Sequence, residues 1–309
     1  MVAAGTVTPG ATAEEKGALT ARRGALRLLL GSPSALAGVI LVLGVVLAAV
    51  FAPWVATHEP SAQILADQLQ PPGAKYLLGT DQLGRDIFSR IVWGARISLR
   101  MGILAVAIGL ALGLVVGFLS GFIGGWADML LMRLVDILLS FPLYLLAILV
   151  MAILGPSLTN AMIAVGIATF PHIARLVRGE TLAVKEREFV EAARGLGADY
   201  LRLGTRHIIP QIMGPLVVLA TFRVATAIVV ESSLSFLGLG PPPPTPAWGL
   251  MIAEGQQVLE IAPWVSVIPG AAIMVLVMGF NLAGDALRDV LDPRLRGSAP
   301  GKGAEEDTA

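Results

Sequence analysis

REFVEAARGLGADYLRLGTRHIIPQ, residues Arg187 to Gln211, is a charge-rich insert between two long apolar stretches. Arg187, Arg194, Arg202 and Arg206 alternate with Glu188, Glu191 and Asp199, and Pro210 closes the run. A chain whose flanking segments belong in a bilayer keeps such a block in water, and its arginines favour the cytoplasmic side. The pattern reads as a short helix, a turn at Gly197 and a second amphipathic helix ending near Pro210. Together they form a shaped knob for a soluble partner.

Composition agrees with the membrane setting. The chain has 309 residues, 55% hydrophobic and 14% charged, with a mean hydropathy of +0.78. Soluble domains carry about 25% charged residues, so this is an integral membrane protein. Net charge is zero, which gives no footing for nucleic acid. Cysteine is absent, which excludes thiolate ligation. The three histidines, His58, His172 and His207, show no metal-ligand spacing. Gly301-Lys302-Gly303 imitates only the end of a phosphate-binding loop, without its Ser/Thr or a preceding strand.

Six apolar runs, each near the roughly 20 residues that a bilayer requires, mark the spans. The first covers residues 35–54 and is longer than the apolar core of a signal peptide, so it is read as a retained helix with its N-terminus inside. Five more are expected at about 97–122, 129–154, 158–176, 212–237 and 264–284. This arrangement puts the insert and the C-terminal cations Arg288, Arg294, Arg296 and Lys302 in the cytoplasm, with Arg22, Arg23 and Arg27 just before the first span. The loop over 238–263 then lies outside and has no Lys or Arg, whereas Lys75, Arg85, Arg90 and Arg96 in the 55–96 loop run against the rule. Trp54, Trp93, Trp126 and Trp264 fall at span ends and Trp248 in the last outer loop, as an interfacial belt prefers.

Within the spans, Gly109, Gly113, Gly117, Gly121 and Gly125 recur every four residues. Such spacing lets another helix approach backbone to backbone. Arg223 and Glu231 lie in the fifth span, where a central charge costs on the order of 3 kcal/mol. They are about 12 Å apart along a helix, too far to pair with each other, so each needs a partner elsewhere in the bundle. In the outer loop, Gly79-Thr80-Asp81 and Gly84-Arg85-Asp86 read as two turns tied by Asp–Arg pairs and Asx turns. The Pro241–Pro244 run and Pro246 impose stiff, extended backbone on the last outer loop, a rigid lip over a cavity.

These residues carry a resemblance. Glu191-Ala192-Ala193, Gly197 and Pro210 resemble the EAA signature of ABC importer permeases, although His207 and Ile209 stand where the general pattern has Ile and Leu. LGTDQLGRDIFSR and GARISL, with ESSLSFLGLGPPPPTPAWG, are similar to the C-type permease of the dipeptide/oligopeptide/nickel importer family, over about residues 22–297. The resemblance implies an all-α membrane protein of six spans with the type I ABC importer permease fold and both termini cytoplasmic. It implies a cytoplasmic tail over 1–34, the outer loop over 55–96, a core permease domain over 97–285 containing a coupling loop at 177–211, and a cytoplasmic tail over 286–309. Location is the inner membrane of a prokaryote.

The resemblance also implies a division of labour. Partners would be a second, related permease, two cytosolic ATPase subunits and an extracytoplasmic substrate-binding protein, with lipids around the bundle. ATP and Mg belong to the ATPases, and this chain would bind no cofactor and catalyse nothing. Glu191, Ala192, Ala193 and Gly197, with Asp199, Arg202 and Pro210, would meet the ATPase, and the 198–206 segment would sit in its groove. Two other classes compete. A self-sufficient proton-coupled transporter would use Arg223 and Glu231 and show an inverted repeat; a membrane-embedded enzyme would need a convergent catalytic cluster. The sequence offers neither.

Overall fold

The computed structural model describes residues 32–291, and every regular element among them is a helix. Helix α1, Pro33–Val50, opens with Ser32 capping the Ala35 amide and Pro33 in the first turn, where its missing N–H costs nothing. A single turn, α2 (Ala52–Val55), follows. Helix α3, Ile87–Ile123, starts well ahead of the expected residue 97, because Asp86 in the outer-loop motif is its N-cap and accepts the Ser89 amide at 2.9 Å.

The span expected at 129–154 is broken. It consists of α4, Gly125–Leu139, and α5, Leu143–Leu154, bent by 94°. Pro142 lies in the gap; it donates no hydrogen bond and disfavours helical geometry at the preceding Phe141. Helix α6, Leu158–Lys185, outruns the expected residue 176 by more than two turns. Its C-terminal half carries two arginines that grip α4: Arg178, in the extension, holds Asp128 with two bonds of 2.6 Å, and Arg175, just before it, reaches Asp136 at 2.7 Å. Helix α7 is Glu188–Gly195 and α8 is Tyr200–Phe236.

The insert's second helix therefore does not stop at Pro210. Leu203–Ile208 winds as a π-helix and passes into Ile209–Phe236 without a break. A wider turn can accommodate the ring and the lost donor of Pro210. The segment 238–263 is also not a plain loop, since it contains α9, Trp248–Gln256. Trp248 is 1% exposed and its indole donates to the Ile91 carbonyl at 3.1 Å, so it is a core residue and not an interfacial one. Trp54 and Trp126, by contrast, are 77% and 71% exposed. Helix α10 is Trp264–Leu291. Among the described residues, five helices are long and apolar enough to cross a membrane, and the α4–α5 pair makes six spans if counted as one. The tails before residue 32 and after 291, with Arg22, Arg23, Arg27, Arg294, Arg296 and Lys302, lie outside the described residues.

The core is organised on two glycine seams. Along α3, a Cβ at Gly109 would meet Thr169 Oγ1 at 2.7 Å, at Gly113 the Ile173 side chain at 2.6 Å, at Gly117 the Ala174 carbonyl oxygen at 2.3 Å, and at Gly121 the Arg178 carbonyl oxygen at 2.9 Å. The two helices run in the same direction, since residue numbers rise together along the seam. Gly125 does not continue it: it opens α4 at φ +56 with nothing within 4 Å. The second seam joins α1 to α10, where Gly38 faces Leu282 and Ala283, and Gly279 faces Leu41 and Val42.

A leucine at position 117 must push α6 away from α3. Overpacking of a tight core costs about 1–3 kcal/mol and more against backbone. Gly117→Leu is expected to lower folded yield and thermal midpoint in detergent, whereas Gly44→Leu, with nothing within 4 Å, leaves both near wild type. Equal midpoints for the two variants would reject the seam.

Candidate functional site

The insert builds a knob at one end of the bundle. Glu188 and Glu191 occupy the first turn of α7 and Arg194 its last, matching the helix dipole at both ends. Val190, fully buried, packs with Val184, Leu203, Ile208 and Ile212 and ties α7 to α6 and α8. The chain then reverses at Gly197, whose φ of +84 favours glycine though space there is open. Asp199 caps α8 by accepting the Arg202 amide at 3.0 Å.

What this turn exposes is apolar. Leu196 is 90% exposed, Tyr200 78% and Leu201 72%, with Glu191, Ala192 and Arg202 open beside them. A cluster of large apolar side chains left exposed among charged residues marks an interaction surface. The charge pattern pointed to the knob, but these three side chains were not singled out; their spacing around the Gly197 turn was the available signal. The knob is also wired to α3. Lys185 donates to the Phe122 carbonyl at 2.9 Å, Tyr200 meets the Phe122 ring edge-on, and Phe118 covers Gly204.

The opposite end is closed by a buried charge cluster. Gly79 and Gly84 take φ of +78 and +71, and a Cβ on Gly84 would strike the Ile64 carbonyl. Asp81 Oδ1 accepts the amides of Leu83 and Arg85, an Asx turn, while Arg85 Nε donates to Asp81 Oδ2 at 2.5 Å. Arg85 Nη2 then donates to Glu254 Oε2 of α9 at 2.6 Å. Arg90 lies 3.8 Å from Asp81 and 3.6 Å from Glu254. Thr80 donates to the Asp67 carbonyl, and Trp264 to the Thr80 carbonyl. Asp86 accepts from Thr57, the Ser89 hydroxyl and the Ser89 amide. Outside it, the Lys75 and Tyr76 bonds hold the Asp67 carboxyl below its ordinary range. The cations that ran against the positive-inside pattern are thus largely matched: Lys75, Arg85 and Arg90 all face carboxylates.

A structure of this shape has known counterparts. Residues 109–297 match the family model described as binding-protein-dependent transport system inner membrane component, and residues 20–72 match the N-terminal transmembrane domain of oligopeptide transport permease C. The chain belongs to this permease family. It is 43% identical over 274 residues to the dipeptide transport system permease protein DppC of Alkalihalophilus pseudofirmus, covering 89% of this chain and 90% of that one. It is 48% identical over 264 residues to the glutathione transport system permease protein GsiD of Shigella flexneri, covering 85% and 87%. In fold it is similar to a subunit of the MetNI methionine ABC transporter, with a TM-score of 0.56 and 22% identity over 66% of this chain and 96% of that one.

In the permease, the two intramembrane charges stay apart. Glu231, 1% exposed, accepts from Ser235 Oγ at 2.6 Å and lies 3.5 Å from Ser232 Oγ. Its partners are hydroxyls of its own helix, not groups elsewhere in the bundle as the sequence led one to expect. Arg223, half-buried, forms no ion pair among the described residues, and neither does Glu231. No group of three or more metal-ligating side chains occurs among the described residues.

Glu254 was missed because nothing in the sequence links it to a motif 170 residues earlier. Removing it leaves Arg85 and Arg90 sharing one carboxylate in a buried site, and breaking such a pair costs about 3–5 kcal/mol. Glu254→Ala is expected to lower the thermal midpoint of the purified permease sharply, with the exposed Glu260→Ala near wild type. Indistinguishable midpoints would remove the cluster from the stability of the fold.

Proposed function

We propose that this chain is one half of the translocation path of an ATP-driven importer of short peptides, completed by a second, related permease. Two cytosolic ATPases would dock on the knob, and an extracytoplasmic binding protein would deliver cargo at the opposite end. Nucleotide and Mg would be held by the ATPases. The knob carries the reading: Leu196, Tyr200 and Leu201 stand in water beside Glu191, on a turn whose base is locked to α3, α6 and α8. A surface that only filled space would not be both so apolar outward and so firmly attached inward. The relatives named for dipeptide and glutathione transport support peptides as cargo.

Mechanically, closure of an ATPase pair moves the knob, and the knob moves the helices to which it is fastened. Nucleotide then shifts the permease between two orientations because it binds one closure state of the ATPases more tightly. Both termini and the knob lie in the cytoplasm on this reading, and the charge cluster lies on the outer side. A self-contained proton relay finds no support in Glu231, whose bonds are to serines one turn or less away on its own helix.

The decisive experiment is reconstitution of the whole transporter with Glu191→Lys. On this reading Glu191 faces a basic residue of the ATPase, and losing one member of a buried, hydrogen-bonded charge pair across an interface costs about 2–5 kcal/mol, more than tenfold in affinity. The variant is expected to co-purify with its permease partner, to lose most of its ATP-dependent peptide uptake, and to leave residual hydrolysis unlinked to transport. Wild-type uptake in that variant would remove Glu191 from the coupling surface.

A further inference from the structure

A cavity of about 710 Å³ opens between the last turns of α1 and the early turns of α3, under the Pro244–Pro246 segment. Its α1 wall is apolar, made of Val46, Ala49 and Val50, and its α3 wall carries Arg96 and Arg100. These arginines are one turn apart on one face, and both are exposed. Neither makes an ion pair among the described residues; Arg96 lies over the Trp93 ring at 5.1 Å, a contact that leaves guanidinium N–H groups free. No acidic residue lines the cavity. This contrasts with the neighbouring cations Lys75, Arg85 and Arg90, which all face carboxylates. Among the described residues, Arg96 and Arg100 thus differ from those three cations in having no carboxylate opposite them.

Depth identifies the source of an anion for the pair. Helix α3 has 37 residues, about 55 Å at 1.5 Å per residue, whereas the hydrocarbon layer is about 30 Å thick. Counting roughly 20 residues back from the Ile123 end places the opposite hydrocarbon boundary near Leu104, with Arg100 one turn beyond it and Arg96 two turns beyond, at headgroup depth. The seam gives the same level independently. Gly109 faces Gly166, so the first residue of α6, Leu158, lies level with Met101, and Leu158 lines the cavity beside Arg100. On α1, exposed Val50 is near the same boundary, four residues before Trp54.

We propose that this cavity is a binding site for an anionic phospholipid, its headgroup phosphate held by Arg96 and Arg100 and its acyl chains laid along the exposed α1 face of Leu43, Leu47 and Val50. Arginine presents a fork that matches phosphate oxygens, and the apolar wall takes the chains. A net-negative headgroup is favoured because no carboxylate in the cavity would offset an added ammonium. The inference rests on α1 and α3 crossing the membrane and not on the cargo of the transporter.

The test is native mass spectrometry of the whole transporter complex, delipidated in mild detergent and titrated with phosphatidylglycerol, phosphatidylcholine or inorganic phosphate. Wild type is expected to retain phosphatidylglycerol over phosphatidylcholine. With two cations each contributing near a headgroup, Arg96→Gln/Arg100→Gln is expected to weaken phosphatidylglycerol retention about thirtyfold while leaving phosphatidylcholine unchanged. Val50→Trp, which fills the α1 wall with both arginines in place, is expected to weaken retention as well. Equal retention of the two lipids by wild type, or a preference that survives the double substitution, would overturn the site. So would inorganic phosphate alone displacing the lipid from wild type, since that outcome assigns the arginines to a small anion.

Discussion

Apolar side chains gain little by leaving lipid for another helix, so helices in a membrane stay together through close packing and backbone approach. In this permease the α3–α6 seam supplies that contact. Four glycines one turn apart bring α3 so near α6 that an added methyl at Gly117 would sit 2.3 Å from a carbonyl oxygen. Everything at the knob end follows from that fixed pair. The Arg178–Asp128 and Arg175–Asp136 bonds hang α4 on α6, and Lys185 ties the end of α6 to the end of α3. The knob therefore has a stiff base.

The other end depends on a different kind of contact. Asp81, Arg85, Arg90 and Glu254 join the segment after α2 to α9, with the motif glycines supplying turns that side-chain-bearing residues would resist. Burying charges costs solvation, and such groups hold only when each has a partner. That requirement fixes the register between segments far apart in sequence. It also accounts for Lys75, Arg85 and Arg90, which the sequence reading found out of pattern: their charge is matched locally by carboxylates.

Much of this was readable from the sequence, and the failures have physical causes. The glycine period announced a seam because only close helix contact rewards it, though not which helix would fill it, nor that Gly125 would leave it. The alternating charges of Arg187–Gln211 announced the knob, but Pro210 misled: a wider π-turn carries α8 through a residue that would ordinarily end or kink a helix. Trp248 looked interfacial because it falls in the segment read as the last outer loop, yet α9 turns it inward. The partners of Asp81, Asp128 and Asp136 lie in other helices, so no local pattern could reveal them.

The same seam has a consequence in time. Gly109 and Gly166, like Gly117 and Ala174, are 57 residues apart, and the bent α4–α5 pair lies between them. At synthesis rates of about 5–20 residues per second, α3 waits roughly 3–11 seconds before the helix it was shaped to meet has been made. During that interval its bare backbone stripe faces lipid or the insertion machinery, and any other small-residue helix nearby can occupy it. Mispairing during biogenesis thus concentrates in a window set by the length of the bent α4–α5 connection.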